Sequence, residues 1–189
     1  YALGIFPWFS DGTPILWWSP DPRLVLLPTE LHVPRSLART LRRGAFTFTA
    51  DRAFEEVMRR CAEVPRPGQD GTWITDGMVQ AYVRLHRLGL AHSFEAWEGA
   101  TLAGGLYGVS LGSAFFGESM FSARPDASKA AFVRSIAWLA GRGVDLVDCQ
   151  VRTDHLVRFG AREVPRPEFL ERLAAALERP TLRGPWVLG

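Results

Sequence analysis

The stretch from residue 115 to residue 150 constrains the fold of this chain more than any other part of it. It predicts a strand from Ala114 to Phe121, a helix that begins near Asp126 and ends at Gly141, and a second strand from Val144 to Val151. A strand, a crossover helix and a strand of this length form parallel neighbours in one sheet. We therefore expect the two strands to lie side by side.

Polar side chains interrupt both predicted strands. Glu118 lies in the middle of the first strand, and Asp148 and Gln150 share one face of the second, because side chains alternate along a strand. If the strands are neighbours, these three residues form a polar cluster in an otherwise apolar sheet. The alternative interpretation is structural: Glu118 pairs with an arginine, and Asp148 caps a loop.

The size and composition of the chain limit its possible classes. Its 189 residues suit one domain, or one domain with a small appendage, and are enough to bury a sizeable core. The net charge of +2 does not by itself indicate a nucleic-acid-binding protein. No apolar run approaches the ~18 residues of a membrane span. Because the chain begins at Tyr1 rather than at Met, we expect that a leading segment is missing.

The cysteines and histidines do not form a recognisable metal-binding pattern. Cys61 and Cys149 have no CxxC or Cys/His spacing, which favours a reduced, cytoplasmic protein. The four histidines are scattered along the chain. His86 and His92 flank a helix end and do not share a helix face at i, i+4, so we expect no zinc site.

The first 23 residues are rich in aromatic and turn-forming residues and lack a helical or strand period. They are too few to form a core of their own. Trp8 and the Trp17–Trp18 pair therefore either pack against the main domain or line a site for a flat ligand. Further along, Trp73 and Thr75 stand at the start of a helix predicted at residues 76–88, where free backbone N–H groups favour an anionic ligand.

A helix predicted between residues 33 and 44 carries a group of arginines on one face. These residues, which we call the basic stripe, are Arg35, Arg39, Arg42 and Arg43. The default interpretation is a solvated helix face. The alternative is a surface that binds phosphates, which is favoured because Glu30 is the only nearby acidic residue that could neutralise the stripe.

The order of the predicted elements indicates the α+β class. Helices at about residues 52–62 and 76–88 are followed by an antiparallel meander, the central strand, the crossover helix and the parallel strand. This order resembles that of the GNAT-class N-acetyltransferases, which hold the pyrophosphate of acyl-CoA in a glycine-rich turn before the crossover helix. Here the corresponding turn, FSARPDAS at residues 121–128, has no glycine, so the cradle for CoA is absent.

Several common catalytic motifs are absent from the chain. It has no GxSxG elbow, no Walker loop, no HExxH and no GxGxxG after a strand. Ser119 has no base adjacent to it in the sequence, so a nucleophilic hydrolase is poorly supported. A hydrolase that uses Ser119 with His155 and Asp154 nevertheless stays open as an alternative.

Longer sequence strings carry a more specific signal than composition or periodicity. They resemble the bacterial leucyl/phenylalanyl-tRNA–protein transferases over nearly the whole chain and in the family's order. The matching motifs are GIFPWFS (Gly4 to Ser10), PILWWSPDPR (Pro14 to Arg23), GTWIT (Gly71 to Thr75), HS (His92 and Ser93), GGLYGV (Gly104 to Val109), GESMFS (Gly117 to Ser122), ASK (Ala127 to Lys129) and DCQ (Asp148 to Gln150).

The resemblance implies a fold and an activity. The fold is a GNAT-like mixed sheet flanked by helices, with residues 1–23 as the remnant of a small, here truncated, N-terminal domain and residues 24–189 as the aminoacyl transferase domain. The activity is transfer of Leu or Phe from aminoacyl-tRNA to the N-terminal Arg or Lys of an acceptor protein, which creates a degradation signal of the N-degron pathway. No cofactor, metal or membrane is implied, and we expect a cytoplasmic monomer.

The resemblance also implies roles for individual residues. Asp148 and Gln150 are expected to orient the attacking amine, by a direct hydrogen bond or as a relay, and Glu118 to bind the cationic end of the acceptor. The terminal adenosine of the tRNA is expected to contact Trp8, Trp73 and Tyr82, the Leu or Phe side chain to contact Leu106, Phe115, Phe132 and Val147, and the tRNA body to contact Arg35, Arg39, Arg42 and Arg43.

Two other functions stay open at this point. The first is a catalytically silent module that binds tRNA or N-degrons, which the missing leading segment suggests. The second is an acyl-CoA N-acetyltransferase, against which the glycine-free turn argues.

Overall fold

The computed structural model describes residues 1–9, 12–65 and 72–188. The strands in these ranges are β1 (Phe6–Pro7), β2 (Trp17–Trp18), β3 (Arg23–Leu26), β4 (Thr47–Ala50), β5 (Ala91–Glu98), β6 (Thr101–Leu111), β7 (Ala114–Ser122), β8 (Leu146–Gln150) and β9 (Arg162–Val164). The helices are α1 (Arg35–Arg42), α2 (Phe54–Ala62), α3 (Asp76–Arg87), α4 (Ala127–Ala140), α5 (Asp154–Val157) and α6 (Arg166–Leu177).

The larger sheet has the strand order β4-β5-β6-β7-β8-β3-β9, and β1 and β2 form a separate pair. β7 and β8 are connected by α4 and pair in parallel, with Phe115 opposite Val147 and Phe116 opposite Asp148. The other neighbouring strands of this sheet pair antiparallel. The mixed, helix-flanked sheet confirms the α+β class, and the β7–β8 pair confirms the expected parallel neighbours.

The sheet buries apolar side chains on both faces. One core contains residues of α4, and the other contains residues of α2, α3 and α6. Alternation along β3 shows the division, because Leu24 and Leu26 belong to the first core and Val25 to the second. The two cores fix the sheet between its helices and so fix the spacing of β7 and β8.

Contacts with β7 and within the first turn fix the start of α4. Asp126 occupies the N-cap position with a φ of 65°, but its side chain does not cap the helix. Its carboxylate instead accepts a hydrogen bond from Lys129 Nζ at 2.8 Å. The N–H of Ser128 donates to Ser122 Oγ at 3.2 Å, so the end of β7 satisfies this helix donor. A Cβ added to Gly104 would lie 2.8 Å from the first residue of α4, which explains the close contact of helix and sheet.

The parallel pair separates at one end. The paired residues end with Phe116 and Asp148, although β7 continues to Ser122 and β8 to Gln150. Gln150 has a φ of 64°, a left-handed conformation that is uncommon for residues other than glycine and that ends the strand. The unpaired ends leave a gap beside Glu118.

Other elements differ from the sequence patterns. Those patterns do not predict β9, which has three residues, or the pairing of β1 and β2, which have two residues each. The predicted strand from Val144 to Val151 is shorter in the structure, where β8 ends at Gln150. Ser10 and Gly71, which belong to two of the matching motifs, lie outside the described residues. Among the helices of the described ranges, none has the length and apolar character needed to cross a membrane.

Candidate active site

A cavity of about 430 Å³ opens at the gap between β7 and β8. β7 lines it with residues 117–120, β8 with Cys149 and Gln150, and the N-terminal segment with residues 6–8. Most of the lining side chains are apolar, and the polar ones include Glu118 and Gln150 at the separated strand ends. A mostly apolar cavity with a few convergent polar groups is typical of a small-molecule site.

Glu118 contributes a carboxyl group to the wall of this cavity. Its Oε2 accepts a hydrogen bond from Tyr82 Oη at 3.0 Å, and its Oε1 accepts one from Gln150 Nε2 at 3.2 Å. The Tyr82 hydroxyl is also hydrogen-bonded to that of Tyr1. Burial raises the pKa of Glu118 to about 7, and the nearby Asp148 carboxylate adds to the increase, while the hydrogen bonds from Tyr1, Tyr82 and Gln150 oppose it.

Asp148 is fully buried and is held by a different set of contacts. Its Oδ1 and Oδ2 accept hydrogen bonds from Arg23 Nε at 2.8 Å and from Arg23 Nη2 at 2.6 Å. Its Oδ1 also accepts the backbone N–H of Gln150 at 2.9 Å. An arginine therefore pairs with Asp148. The alternative interpretation of the sequence had paired an arginine with Glu118. Among the described residues, Gln150 lines the cavity and Asp148 does not.

The expected polar cluster is therefore present as a chain of contacts. Asp148 binds the backbone of Gln150, and the Gln150 side chain binds Glu118. This arrangement brings together the three residues that the sequence places on neighbouring strands. Cys149, which lies between Asp148 and Gln150 in the sequence, also lines the cavity. Burial, and to a smaller extent the Asp148 carboxylate, raises the pKa of its thiol, so Cys149 is a poor nucleophile at neutral pH.

The four residues expected to form the aminoacyl pocket all line the cavity: Leu106, Phe115, Phe132 and Val147. Sequence reasoning missed Ile136 and Met120, which line it as well. The signal for Ile136 is its position one turn after Phe132 on α4, and the signal for Met120 is its position two residues after Glu118 on β7. This part of the cavity, which we call the slot, is therefore built from one face of α4 and from residues of β6, β7 and β8.

The aromatic residues expected to bind adenosine do not all reach the cavity. Trp8 and Trp73 line it. Tyr82 is only 2% exposed and packs edge-on against Tyr107, with its hydroxyl group bound to Glu118, so the structure places it behind the cavity wall. Trp18 Nε1 donates to the Trp8 carbonyl at 2.7 Å, which fixes Trp8 on the N-terminal segment.

The basic stripe lies on the surface of α1 and its C-cap. Its members, Arg35, Arg39, Arg42 and Arg43, are exposed, and none forms an ion pair with a described residue. Glu30, the acidic residue expected to neutralise the stripe, instead pairs with Arg162 at 3.3 Å. The stripe is therefore available to a polyanion.

A histidine cluster lies elsewhere in the fold. The structure brings Asp51, His86 and His92 together, with potential ligand atoms within 4.8 Å of one another, although their spacing did not predict it. His92 Nδ1 contacts Asp51 Oδ2 at 2.8 Å, His92 Nε2 contacts the Gly89 carbonyl at 3.1 Å, and His86 Nδ1 contacts the Ala91 carbonyl at 2.8 Å. These contacts already occupy both ring nitrogens of His92 and Nδ1 of His86, so they fit a hydrogen-bonded cluster rather than a metal site.

The possible hydrolase residues are only partly brought together. Ser119 and His155 both line the cavity. The Nε2 atom of His155 is buried without a hydrogen-bond partner among the described residues, so this nitrogen does not accept a proton from Ser119. Asp154 lies 3.9 Å from Arg152 in an exposed ion pair and does not orient His155 through a described hydrogen bond. The geometry therefore does not form a catalytic triad.

Comparisons with known proteins identify the family of this chain. The family model described as leucyl/phenylalanyl-tRNA protein transferase matches residues 25–174, and the model of that family's N-terminal domain matches residues 1–21. The chain is 77% identical over 189 residues to the leucyl/phenylalanyl-tRNA–protein transferase of Anaeromyxobacter sp. (strain K), covering 100% of this chain and 81% of that protein. It is 59% identical to the protein of the same name from Myxococcus xanthus (strain DK1622), again with 100% and 81% coverage. The chain belongs to the leucyl/phenylalanyl-tRNA protein transferase family.

Proposed function

We propose that this chain transfers Leu or Phe from aminoacyl-tRNA to the N-terminal Arg or Lys of an acceptor protein and thereby creates a degradation signal. The observation that carries the proposal is the apolar cavity between the separated ends of β7 and β8, with Glu118 and Gln150 at its polar edge. The cavity suits the apolar side chain of the donor, and Glu118 suits the cation of the acceptor. Family membership supports the same reaction.

The donor side chain occupies the slot formed by Leu106, Phe115, Phe132 and Val147, where it is removed from water. The terminal adenosine of the tRNA lies toward Trp8 and Trp73, which line the same cavity. Stacking of a base on an aromatic ring contributes about 1 to 3 kcal/mol. Tyr82 contributes indirectly, because its hydroxyl holds Glu118. Residues 1–23, as part of a small N-terminal domain, supply the Trp8 side of this site.

The acceptor binds through its cation and its α-amine. The Glu118 carboxylate accepts hydrogen bonds from the Arg or Lys side chain, and an arginine can make two of them. The amide of Gln150, 3.2 Å from Glu118, orients the amine beside this contact. Asp148 acts through Gln150, as in the relay alternative, because its carboxylate holds the Gln150 backbone N–H.

The chemistry needs no further activation, because an aminoacyl ester is already reactive. The neutral amine forms a bond to the carbonyl carbon, the bond from that carbon to the ribose oxygen breaks, and the proton lost by the amine ends on that oxygen. An α-amine with a pKa near ~7.7 to 8.0 is partly neutral at pH 7, so a strong base is unnecessary. Alignment of amine and ester can supply on the order of 7 kcal/mol or more.

The basic stripe binds the body of the tRNA. Its four exposed arginines have no described acidic partner and can neutralise phosphates without reading bases. The chain acts as a monomer in this proposal, since all of the assigned residues come from one chain. Charged tRNA and acceptor proteins meet in the cytoplasm, and the proposal assigns the enzyme to that compartment.

The alternative functions are less well supported. An acyl-CoA N-acetyltransferase needs a phosphate cradle before α4, but that turn lacks glycine, and the Ser128 N–H is already bound to Ser122. A silent module that binds tRNA or N-degrons needs no polar pair at the mouth of an apolar slot, whereas Glu118 and Gln150 form one.

The test is transfer of labelled Leu from Leu-tRNA to a peptide that begins with Arg. We expect a labelled peptide product with the Arg peptide and little with a matched peptide that begins with Ala. Binding of charged tRNA and peptide without product would support the silent module instead. Transfer of a labelled acetyl group from acetyl-CoA to the peptide, without transfer of Leu, would support the acetyltransferase.

A further inference from the structure

Arg23 is a fully buried arginine at the start of β3, and it contacts two separate parts of the site. Its Nε and Nη2 donate to the two carboxylate oxygens of Asp148 at 2.8 and 2.6 Å. Its Nη1 donates to the backbone carbonyl of Gly4 at 3.2 Å. The fork of one guanidinium therefore joins β8 to the N-terminal segment.

Aromatic rings enclose this guanidinium. Its central carbon lies 4.8 Å from the centroid of the Phe6 ring and 4.5 Å from that of Phe169. A buried ion pair often contributes no more stability than apolar residues of similar volume, because both charges lose their hydration. Stability alone is therefore a weak explanation for the Arg23–Asp148 pair, and its position between two parts of the site suggests another.

The contacts continue from Arg23 to the cavity in two directions. In one direction, Asp148 holds the N–H of Gln150, whose side chain reaches Glu118. Gln150 has a φ of 64°, so this hydrogen bond stabilises a backbone conformation that is otherwise unfavourable. In the other direction, Gly4 and Phe6 lead directly into Trp8, which lines the cavity.

We propose that Arg23 is a positioning residue for aminoacyl transfer, an inference that rests on the proposed function. Through Asp148 it keeps the Gln150 amide directed toward the amine of the acceptor. Through Gly4 and Phe6 it keeps the Trp8 wall, and with it the adenosine and ester of the donor, at a fixed distance from Gln150. The guanidinium thus sets the separation between the two reacting groups, which is the quantity on which catalysis by alignment depends.

The first test compares the wild-type chain with Arg23→Lys. Lysine keeps the positive charge but lacks the planar fork that spans Asp148 and Gly4. We expect kcat for Leu transfer, measured with both substrates saturating and below the melting temperature, to fall about tenfold or more. We also expect a non-hydrolysable 3′-leucylamide of adenosine to bind about tenfold more weakly. The matched control is Arg172→Lys, which alters an arginine–carboxylate contact with Glu168 on the partly exposed face of α6 and should leave both values unchanged.

A purely structural role for Arg23 predicts a different result. Arg23→Lys would then lower the melting temperature but leave kcat per folded molecule and binding of the analogue unchanged, which would overturn the inference. If Arg23→Lys does not fold, the double variant Arg23→Met with Asp148→Leu replaces the pair by apolar residues that such sites often tolerate. We expect this variant to fold and to lose transfer, and a folded double variant with wild-type transfer would overturn the inference as well.

These outcomes are distinct from failure of the proposed function. A wild-type chain that neither transfers Leu nor binds the adenosine analogue contradicts the function itself and, with it, the role of Arg23. A wild-type chain that transfers Leu while Arg23→Lys does so equally well contradicts the role of Arg23 alone.

Discussion

The side-chain amide of Gln150 donates a hydrogen bond to Oε1 of Glu118, at 3.2 Å, across the gap where β7 and β8 separate. The two residues belong to parallel strands whose backbones no longer pair at this point. The hydrogen bond therefore marks the polar edge of an otherwise apolar cavity. It gives the proposed acceptor site one group for the cation and one for the amine.

The pH dependence of acceptor use tests the proposed role of Glu118. This carboxyl group has a pKa of about 7, so it loses its negative charge as the pH falls through that value. The acceptor amine, with a pKa near ~7.7 to 8.0, becomes protonated over a similar range. We expect log kcat/KM for an Arg peptide, at saturating donor, to approach a slope of about two per pH unit in acid for the wild type and about one for Glu118→Gln. Equal slopes would contradict the assignment.

Asp148→Asn tests the link from Arg23 to Gln150. Asparagine removes the charge that faces the guanidinium and leaves one acceptor oxygen for the donors of Arg23 and Gln150, so the hold on the Gln150 backbone is weakened. We expect kcat to fall about tenfold or more, measured well below the melting temperature because breaking a buried ion pair can cost about 3 to 5 kcal/mol. The control is Asp145→Asn, which affects a hydrogen bond to Ser113 Oγ just before β8 and should leave kcat unchanged. An effect of Asp148→Asn confined to KM would argue against the role.

Charge reversal in the basic stripe tests the docking of tRNA. Each arginine that no longer neutralises a phosphate should reduce the slope of log K against log salt concentration by about 0.7 to 0.9. We therefore expect the double variant Arg39→Glu with Arg42→Glu to raise the donor KM and to flatten its salt dependence. Arg179→Glu reverses another exposed arginine, just after α6, and serves as the control. An unchanged salt slope in the double variant would refute the assignment of the stripe.

The size of the slot should set the preference between Leu and Phe. Ile136 lines the cavity from α4, and Ile136→Ala enlarges it. We expect the ratio of Phe to Leu transfer to rise, by about tenfold, since a methylene of misfit is worth about 1 to 3 kcal/mol. Leu139→Ala removes an equally buried side chain of the same helix that does not line the cavity. Leu139→Ala should lower the free energy of unfolding by a similar amount, about 2 to 5 kcal/mol, without changing the ratio of Phe to Leu transfer. If Leu139→Ala changed that ratio as much as Ile136→Ala does, the slot would be ruled out as the cause.

The sequence predicts those parts of the fold that depend on local periodicity. The stretch from β7 to β8 is long and regular enough to predict a parallel pair, and the pair then places Glu118 near Gln150. β9 and the β1–β2 pair are too short to show a period, so they could not be predicted in this way.

The contacts that the sequence did not predict join distant parts of the chain. Arg23 and Asp148 meet because β3 inserts antiparallel beside β8, an arrangement that follows from tertiary packing and not from any local motif. His86 and His92 meet because the chain reverses between α3 and β5, which helical spacing does not describe. Tyr82 was expected to contact the terminal adenosine of the tRNA. It is instead buried behind Glu118, because α3 packs against the sheet.

The most direct test of the central claim compares an acceptor peptide that begins with Arg with one that begins with citrulline, its uncharged analogue of nearly equal shape. The claim is that the Glu118 carboxylate binds the acceptor's cation. We expect the wild type to prefer the Arg peptide in kcat/KM by roughly thirtyfold or more, since removing one partner of a buried charged pair costs about 2 kcal/mol or more. In Glu118→Gln the preference should nearly disappear, while hydrolysis of the donor continues at the wild-type rate. A full preference for Arg in Glu118→Gln, or an equal loss of donor hydrolysis and acceptor use, would contradict the claim.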